Sequence, residues 1–395
     1  MRDTLDLWPP TLPIVIHHFA RPQSDGDNVI AALDRNDRVC QITLKLNPQW
    51  EKVLDAMQEP FPALTHLVLS SDVEPAPVVP GSFMGVSAPR LQDLRLEGVP
   101  FPGLPKLLSS ATDLVHLILR RIPHSGYISP EAIVTCLSSL PWLEKLYLGF
   151  ESPRSRPNRE TRRPPPLTRF VLPALIKLHF TGVSEYLEDL VARIECPLLE
   201  YLEISLFHQL IFDIQQLAQF IGRTPMLKVH DQARVDFSDL HVRVTFPKTS
   251  SSYHLELKIL CRQPEWQLSS MAQICTSFFP RSFIDTVGRL SIRERSYSTL
   301  EWQDDIEDSQ WLELLHPFTA VKDLYLSKEF APRIAPYFQE LVDGRTTEVL
   351  PALQNLFLGE IHPSDSRPVK KAIGKFVAAR QLSNHPVAIQ VAKRY

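Results

Sequence analysis

The sequence predicts an α/β fold in which short parallel strands alternate with helices, each strand–helix unit stacked on the next. Three observations predict it. A six-residue motif with apolar residues at i, i+3 and i+5 recurs along the chain, helix-spaced apolar stripes lie between its copies, and copies start roughly 23–34 residues apart. The copies read LTHLVL (64–69), LQDLRL (91–96), LVHLIL (114–119), LEKLYL (143–148), LIKLHF (175–180) and LEYLEI (199–204), then VGRLSI (287–292), VKDLYL (321–326) and LQNLFL (353–358). A weaker copy, VCQITL (39–44), precedes them. This spacing is that of a leucine-rich-repeat solenoid, with a curved parallel sheet on the concave side and helices outside.

The spacing has a physical origin. Side chains alternate along a strand, so Leu94 and Leu96 point to one face while Asp93, Arg95 and Glu97 point to the other. Leu91 precedes the strand, where the backbone turns, and reaches the same core from another direction. SPEAIVTCLSSL (129–140) offers Ser129 as N-cap, Pro130 at the first helical position, and Ile133, Val134, Leu137 and Leu140 on one face. EYLEDLVARI (185–194) and MAQICTSFF (271–279) carry similar stripes. Parallel strands joined this way require crossover connections, and each unit buries its apolar face against its neighbours.

Residues 1–38 read as an N-terminal cap or linker into the repeats, and 39–395 as the solenoid. The solenoid carries three irregularities. SPRSRPNRETRRPPP (152–166) holds five arginines and five prolines, a composition that packs no core. It reads as a solvated insertion, with a basic docking segment as the alternative. Residues 227–262 abandon the motif for alternating segments: ARVDF (233–237), HVRVTF (241–246) and YHLELKIL (253–260), with PKTSSS between the last two. These predict an irregular β-hairpin insert near 233–260. A final helix (369–382) and strand (387–391) form a C-terminal cap, 364–395, over the last repeat's edge.

The chain is 44% hydrophobic with a net charge of −3, so bulk electrostatics give no push toward nucleic acid or anionic membranes. Five scattered cysteines predict no disulfide framework, and with no signal peptide in MRDTLDLWPPTLP the expected location is cytoplasmic or nuclear. No GxSxG, P-loop, GxGxxG or HExxH motif and no zinc-type cysteine pair occurs, so no catalytic residue, cofactor or metal ligand is assigned and an enzyme is not expected. His17-His18 would project to opposite faces of a strand, and the acidic run in WQDDIEDSQWLELL fits a helix N-terminus.

The strand positions between the leucines form two side-by-side rows. One runs Gln41, His66, Asp93, His116, Lys145, Lys177, Tyr201; the other Thr43, Val68, Arg95, Ile118, Tyr147, His179, Glu203. Their mix of Tyr, Arg and His with aliphatic residues suits a protein-binding face, although strand propensity alone also admits aromatic and β-branched residues. The candidate face comprises His66, Asp93, Arg95, His116, Ile118, Lys145, Tyr147, Lys177, His179, Tyr201 and Glu203. A monomer that binds a protein partner through this face is expected.

The string WQDDIEDSQWLELLHPFTAVKDLYLSKEFAPRIAPYFQELVDGRTTEVLPALQNLFLGEIHPSDSRPVKKAIGKFVAARQLSNHP (302–386) resembles F-box-like leucine-rich-repeat proteins of basidiomycete fungi. TLDLWPPTLPIVIHH (4–18), DNVIAALDRNDRVCQITL (27–44), AMQEPFPALTHLVL (56–69) and FIGRTPMLKVHDQARVDF (220–237) fit the same pattern, so the resemblance spans nearly the whole chain. It implies repeats that select a substrate for a cullin-type ubiquitin ligase, with an N-terminal F-box docking on the ligase adaptor. MRDTLDLWPP resembles the linker into the repeats, and Leu12-Pro13 runs into strand-like Ile14–Ile16. Adaptor contact is therefore expected only if an F-box lies upstream; an interaction scaffold without a ligase link is the alternative. Where many leucine-rich repeats carry an asparagine ladder, this chain has Val99, Ile122, Val183 and Ile361, which predicts irregular curvature.

Overall fold

In a computed structural model of the chain, the described residues are 9, 11–18, 26–47, 50–158, 166, 168–212, 214–227, 230–247, 254–277, 279, 281–295, 308–342, 347–360 and 363–391. They form two compact units, Met1–Leu199 and Glu200–Tyr395.

The first unit is a leucine-rich-repeat stack. Its strands are β1 (Ile14–His18), β2 (Val39–Lys45), β3 (His66–Ser70), β4 (Asp93–Glu97), β5 (His116–Ile122), β6 (Lys145–Phe150) and β8 (Lys177–Gly182), paired in that order and all parallel. A separate parallel pair joins β7 (Phe170–Val171) to β9 (Ile194–Glu195). The repeat therefore begins before residue 39, because Ile14–His18 pairs with β2 and the helix Gly26–Leu33 follows it.

A recurring backbone turn accounts for the i, i+3 spacing. Leu91 N donates to Ala88 O, Leu114 N to Ala111 O, and Leu143 N to Leu140 O, at 3.1, 3.1 and 3.3 Å. Each turn delivers its leucine into the core just before the strand starts. The next repeat is held by one shared carbonyl: Gln92 O accepts from both Val115 N and His116 N at 2.9 Å, and Val115 O accepts from Glu144 N and Lys145 N. Backbone groups thus do the stapling an asparagine ladder would do, while Val99, Ile122 and Val183 are buried apolar plugs. Ile361 lies outside the described residues. Leu91, Leu94 and Leu96, and their equivalents in neighbouring repeats, are all buried.

The helices between strands form as their sequences predict, with local exceptions. Ser129 caps Pro130–Leu137 by accepting from Ala132 N at 3.2 Å. Its buried face is Ile133, Cys136 and Leu137, with Val134 only half-buried. Ser184–Val191 is buried on nearly every side, including Glu188 and Asp189. Around it Tyr127, Phe150, Phe180 and Tyr186 form an aromatic cluster, and Tyr186 Oη donates to Ile128 O at 2.8 Å. Burial pushes the Tyr127 hydroxyl up to about 12, so this cluster stays neutral. Of the Arg/Pro-rich loop, residues 159–165 lie outside the described residues.

The second unit has strands β10 (Tyr201–Phe207), β11 (Gln232–Phe237), β12 (His241–Pro247), β13 (His254–Leu260), β14 (Arg289–Glu294), β15 (Asp323–Leu326), β16 (Asn355–Leu358) and β17 (Ala388–Val391). Their order is β10-β13-β12-β11-β14-β15-β16-β17. The insert is a meander: β12 runs antiparallel to both β11 and β13, while β13 is parallel to β10 and β11 to β14. Two reversals cancel, so the regular parallel pairing resumes at β14. The segment joining β12 to β13 lies largely outside the described residues. The helix Pro363–Leu382 and β17 close the array, with β17 parallel to β16.

Candidate functional site

In a leucine-rich repeat the helices cover one face of the sheet, and the opposite strand face is open to bind. In the first unit the register sets the predicted residues side by side. Gln41, His66, Asp93, His116, Lys145 and Lys177 are consecutive cross-strand partners, as are Thr43, Val68, Arg95, Ile118, Tyr147 and His179. Tyr201 and Glu203 belong to the second unit, where they pair with His254 and Glu256.

Not all of these residues offer surface. Ile118 is 5% exposed and Asp93 only 6%. Ile118 lies between Arg95 and Tyr147 in the register, whose long side chains flank it. Asp93 is the hub of a small network. Arg95 Nε and Nη2 donate to its two carboxylate oxygens at 2.9 and 3.1 Å, and His116 Nδ1 stands 3.1 Å from Oδ2. Burial alone would push the Asp93 carboxyl up, but the hydrogen bonds and charges of Arg95 and His116 outweigh it and hold the group below the usual carboxylate range. Asp93 reciprocally raises the pKa of Arg95. These two residues shape the face from beneath.

The exposed working surface lies one strand further on. The ring of Tyr147 is stacked on His179, with centroids 5.4 Å apart and planes 18° from parallel. The guanidinium of Arg120, on the neighbouring β5, lies over the same ring at 4.7 Å. Tyr147 is thus fixed by two neighbours while part of its surface stays accessible. Lys145 and Lys177 flank it in the adjacent row. Burial, with the charges of Lys177, Arg95 and Arg120, pushes the Lys145 pKa down, the mark of a positive field. Arg120 was not in the predicted rows. It sits two residues beyond Ile118 on the same strand face, so alternation carried one step further along β5 would have found it.

No protein-family model and no curated protein matches the chain. Among solved structures it is similar to the leucine-rich repeat-containing protein LegL7 from Legionella pneumophila, at 16% identity over 92% of this chain and 96% of that one, with a TM-score of 0.32. An internalin from Listeria monocytogenes is similar at 13% identity over 94% and 96%, with a TM-score of 0.28. Superposition at this level carries no functional argument, and the site stands on the chain's own geometry.

On the second unit's open face, Tyr201 Oη donates to Glu203 Oε2 at 3.0 Å. Glu203 then begins a ladder of alternating charge. Lys258 lies 3.7 Å from Glu203 and 3.5 Å from Glu256, and Arg243 lies 3.8 Å from Glu256 and 3.2 Å from Asp236. Opposite charges thus alternate along the ladder. The five cysteines are free thiols, and burial pushes Cys275 up to about 12, which leaves it unreactive. Among the described residues no group of three or more His, Cys, Asp or Glu is placed to hold a metal ion, and no helix is long and apolar enough to cross a membrane.

The Asp93 network makes a pH prediction. A carboxyl whose folded pKa is depressed contributes stability that is present above its unfolded pKa, about 3.9, and lost as pH falls through the folded value. Stability of the first unit should therefore decline below about pH 4, and Arg95→Ala should make that decline shallower. Urea midpoints of both proteins between pH 6 and pH 2.5 measure this; parallel curves would show that Asp93 is not the group responsible.

Proposed function

We propose that the chain is a non-catalytic protein-binding solenoid whose first unit engages a partner through the open sheet face centred on Tyr147. The carrying observation is the Arg120–Tyr147–His179 stack: an aromatic ring held by two neighbours and partly exposed, with Lys145 and Lys177 alongside. A pre-ordered aromatic loses little entropy on binding and is the kind of residue that anchors interfaces. The excess of Lys and Arg around it selects a partner with an acidic surface.

A photo-crosslinking amino acid placed at Lys177 in cells should capture a discrete partner that the same residue at Thr135, on the helix side, does not. Tyr147→Ala should then weaken that partner by about tenfold or more, the range of an interface anchor, with the melting temperature unchanged. Equal capture from both positions, or an unaffected affinity, refutes the reading.

The finer proposal is that this face selects substrates for a cullin-type ubiquitin ligase, as the substrate-recognition part of an F-box receptor. Its support is the resemblance of residues 302–386 to F-box-like leucine-rich-repeat proteins. Co-purification of the full-length protein with the ligase adaptor tests it. The alternative is a scaffold of the same fold with no ligase link, which a purification free of the adaptor would favour.

A further inference from the structure

The second unit carries a pocket that the ladder of charge does not explain. It has a volume of about 420 Å³ and is lined by Gln232, Arg234, Arg289, Ser291, Arg293 and Tyr325, all facing the open side of the sheet. Four strands build it, with Pro247 of β12 closing the side next to β11. The β11–β14 register sets Gln232 beside Arg289 and Arg234 beside Ser291, and the β14–β15 register sets Ser291 beside Tyr325.

Three guanidiniums line this space and no carboxylate does. On β12, which pairs with β11, Arg243 is answered by Asp236 and Glu256. Arg234 and Arg293 have no ion-pair partner among the described residues. Arg293 Nε donates to the Ser291 hydroxyl at 2.7 Å, while the Nε of Arg234 is out of solvent contact and has no hydrogen-bond partner. Arg289 lies 3.6 Å from Asp323, which Asn355 also engages at 2.8 Å. Burial and the charges of Arg234 and Arg295 push the Arg293 pKa down, and Asp236, beside Arg293 in the β11–β14 register, offsets them only in part, so like charges are held together here at a cost. Unmet donors and unmet positive charge in one concavity call for an anion.

We propose that this pocket binds a phosphate group carried on a protein segment. A carboxylate offers one charge and two oxygens, enough for one guanidinium fork. A phosphate monoester brings nearly two charges and three acceptor oxygens, enough to engage several. The pocket is larger than a bare phosphate needs, and Tyr325, stacked on Phe357 at 4.1 Å, supplies a flat wall for the stem that carries it. A nucleic-acid backbone fits less well. The positive region is bounded by Asp236 and Glu256 on one side and Asp323 on the other, where successive phosphates would meet carboxylates. This site takes from the proposed binding function only the nature of the carrier; the crosslinking experiment at Lys177 in the first unit is independent of it.

Isothermal titration of the full chain tests it, with four probes: inorganic phosphate, short Gly-flanked phosphoserine and phosphotyrosine peptides, their unphosphorylated twins, and a single-stranded RNA oligonucleotide. A phosphopeptide should bind, its twin should not, and inorganic phosphate should bind at least about tenfold more weakly. The double variant Arg234→Gln/Arg293→Gln should lose at least about thirtyfold in phosphopeptide affinity, and Arg234→Lys/Arg293→Lys should keep part of it, because charge remains but the fork is gone. Arg90→Gln, at an exposed arginine of the first unit, should change nothing, and unchanged circular-dichroism melts show that the variants fold. Binding that ignores phosphorylation, or that survives the double Gln variant, overturns the site. Inorganic phosphate or RNA binding as tightly as a phosphopeptide overturns the protein carrier.

Discussion

Replacing Arg380 by methionine is expected to destabilise the second unit by about 3 kcal/mol. Arg380 is fully buried in the last turn of the helix Pro363–Leu382. Its Nη2 donates at 3.2 Å to three carbonyls, those of Leu350, Pro351 and Leu353, in the turn that leads into β16. Within that turn Leu353 N donates to Leu350 O, and Leu350 adopts a φ of 51°, a strained conformation for a leucine. The arginine is therefore the tie between the terminal helix and the final regular repeat. Methionine fills much of the same volume and removes a buried charge, a change that by itself would be favourable. It also leaves the carbonyls of Pro351 and Leu353 without this donor, each worth about 1–3 kcal/mol when dry, while Leu350 O keeps Leu353 N. Because one nitrogen serves three acceptors, the losses do not simply add, and the deficit wins by a modest margin. Hydrogen exchange resolves this locally: amides of 355–358 and 388–391 should exchange roughly a hundredfold faster, with first-unit amides unchanged. Arg380→Lys should recover part of the loss. Unchanged protection would mean that water reaches those carbonyls without the arginine.

How legible this protein is from its sequence varies with how local the signal is. LQDLRL contains its own explanation, since Leu91 closes a turn on Ala88 and Leu94 and Leu96 alternate inward. The side-by-side rows follow because consecutive motifs pair in register, which is a property of the repeat. What a residue does within its row is not local. Asp93 and Ile118 occupy binding-face positions by alternation, yet their neighbours across the sheet bury them, and only the strand partners reveal it. The arginine pocket is the extreme case. ARVDF and LSIRER each show an outward arginine, but β11 neighbours β14 only because the meander reverses twice, so Arg234 and Ser291, 57 positions apart, meet. The buried Arg380 was equally invisible: an arginine near a helix C-terminus ordinarily reads as a favourable surface charge.

Two glycines should respond to alanine with opposite signs, because backbone conformation and space, not residue type, decide. Gly98 follows β4 with a φ of 65°. A Cβ there would sit 2.5 Å from the carbonyl oxygen of Ser71 and 3.1 Å from Nη2 of Arg121. The obstacle is backbone, pinned on both sides: Ser71 N donates to Glu97 O and Gly98 N to Arg120 O. Arg121 Nη2 also donates to that same Ser71 oxygen and to Asp72, both at 2.8 Å. Alanine at 98 incurs the left-handed strain of an L-residue, about 1–2 kcal/mol, and an overlap relieved only by spreading β3 from β4, about 1–3 kcal/mol more. The first unit should lose about 3 kcal/mol. Gly374 lies exposed within the helix Pro363–Leu382, with nothing within 4 Å of a built Cβ. There alanine removes only the entropic penalty of glycine in a helix and should stabilise the second unit by about 0.5–1 kcal/mol. Hydrogen exchange again separates the units: strands β3–β5 should lose protection in Gly98→Ala, and β16–β17 should gain it in Gly374→Ala. A Gly98→Ala protein as stable as the parent would mean that the exits of β3 and β4 are not held in the close register on which the open face of the first unit is built.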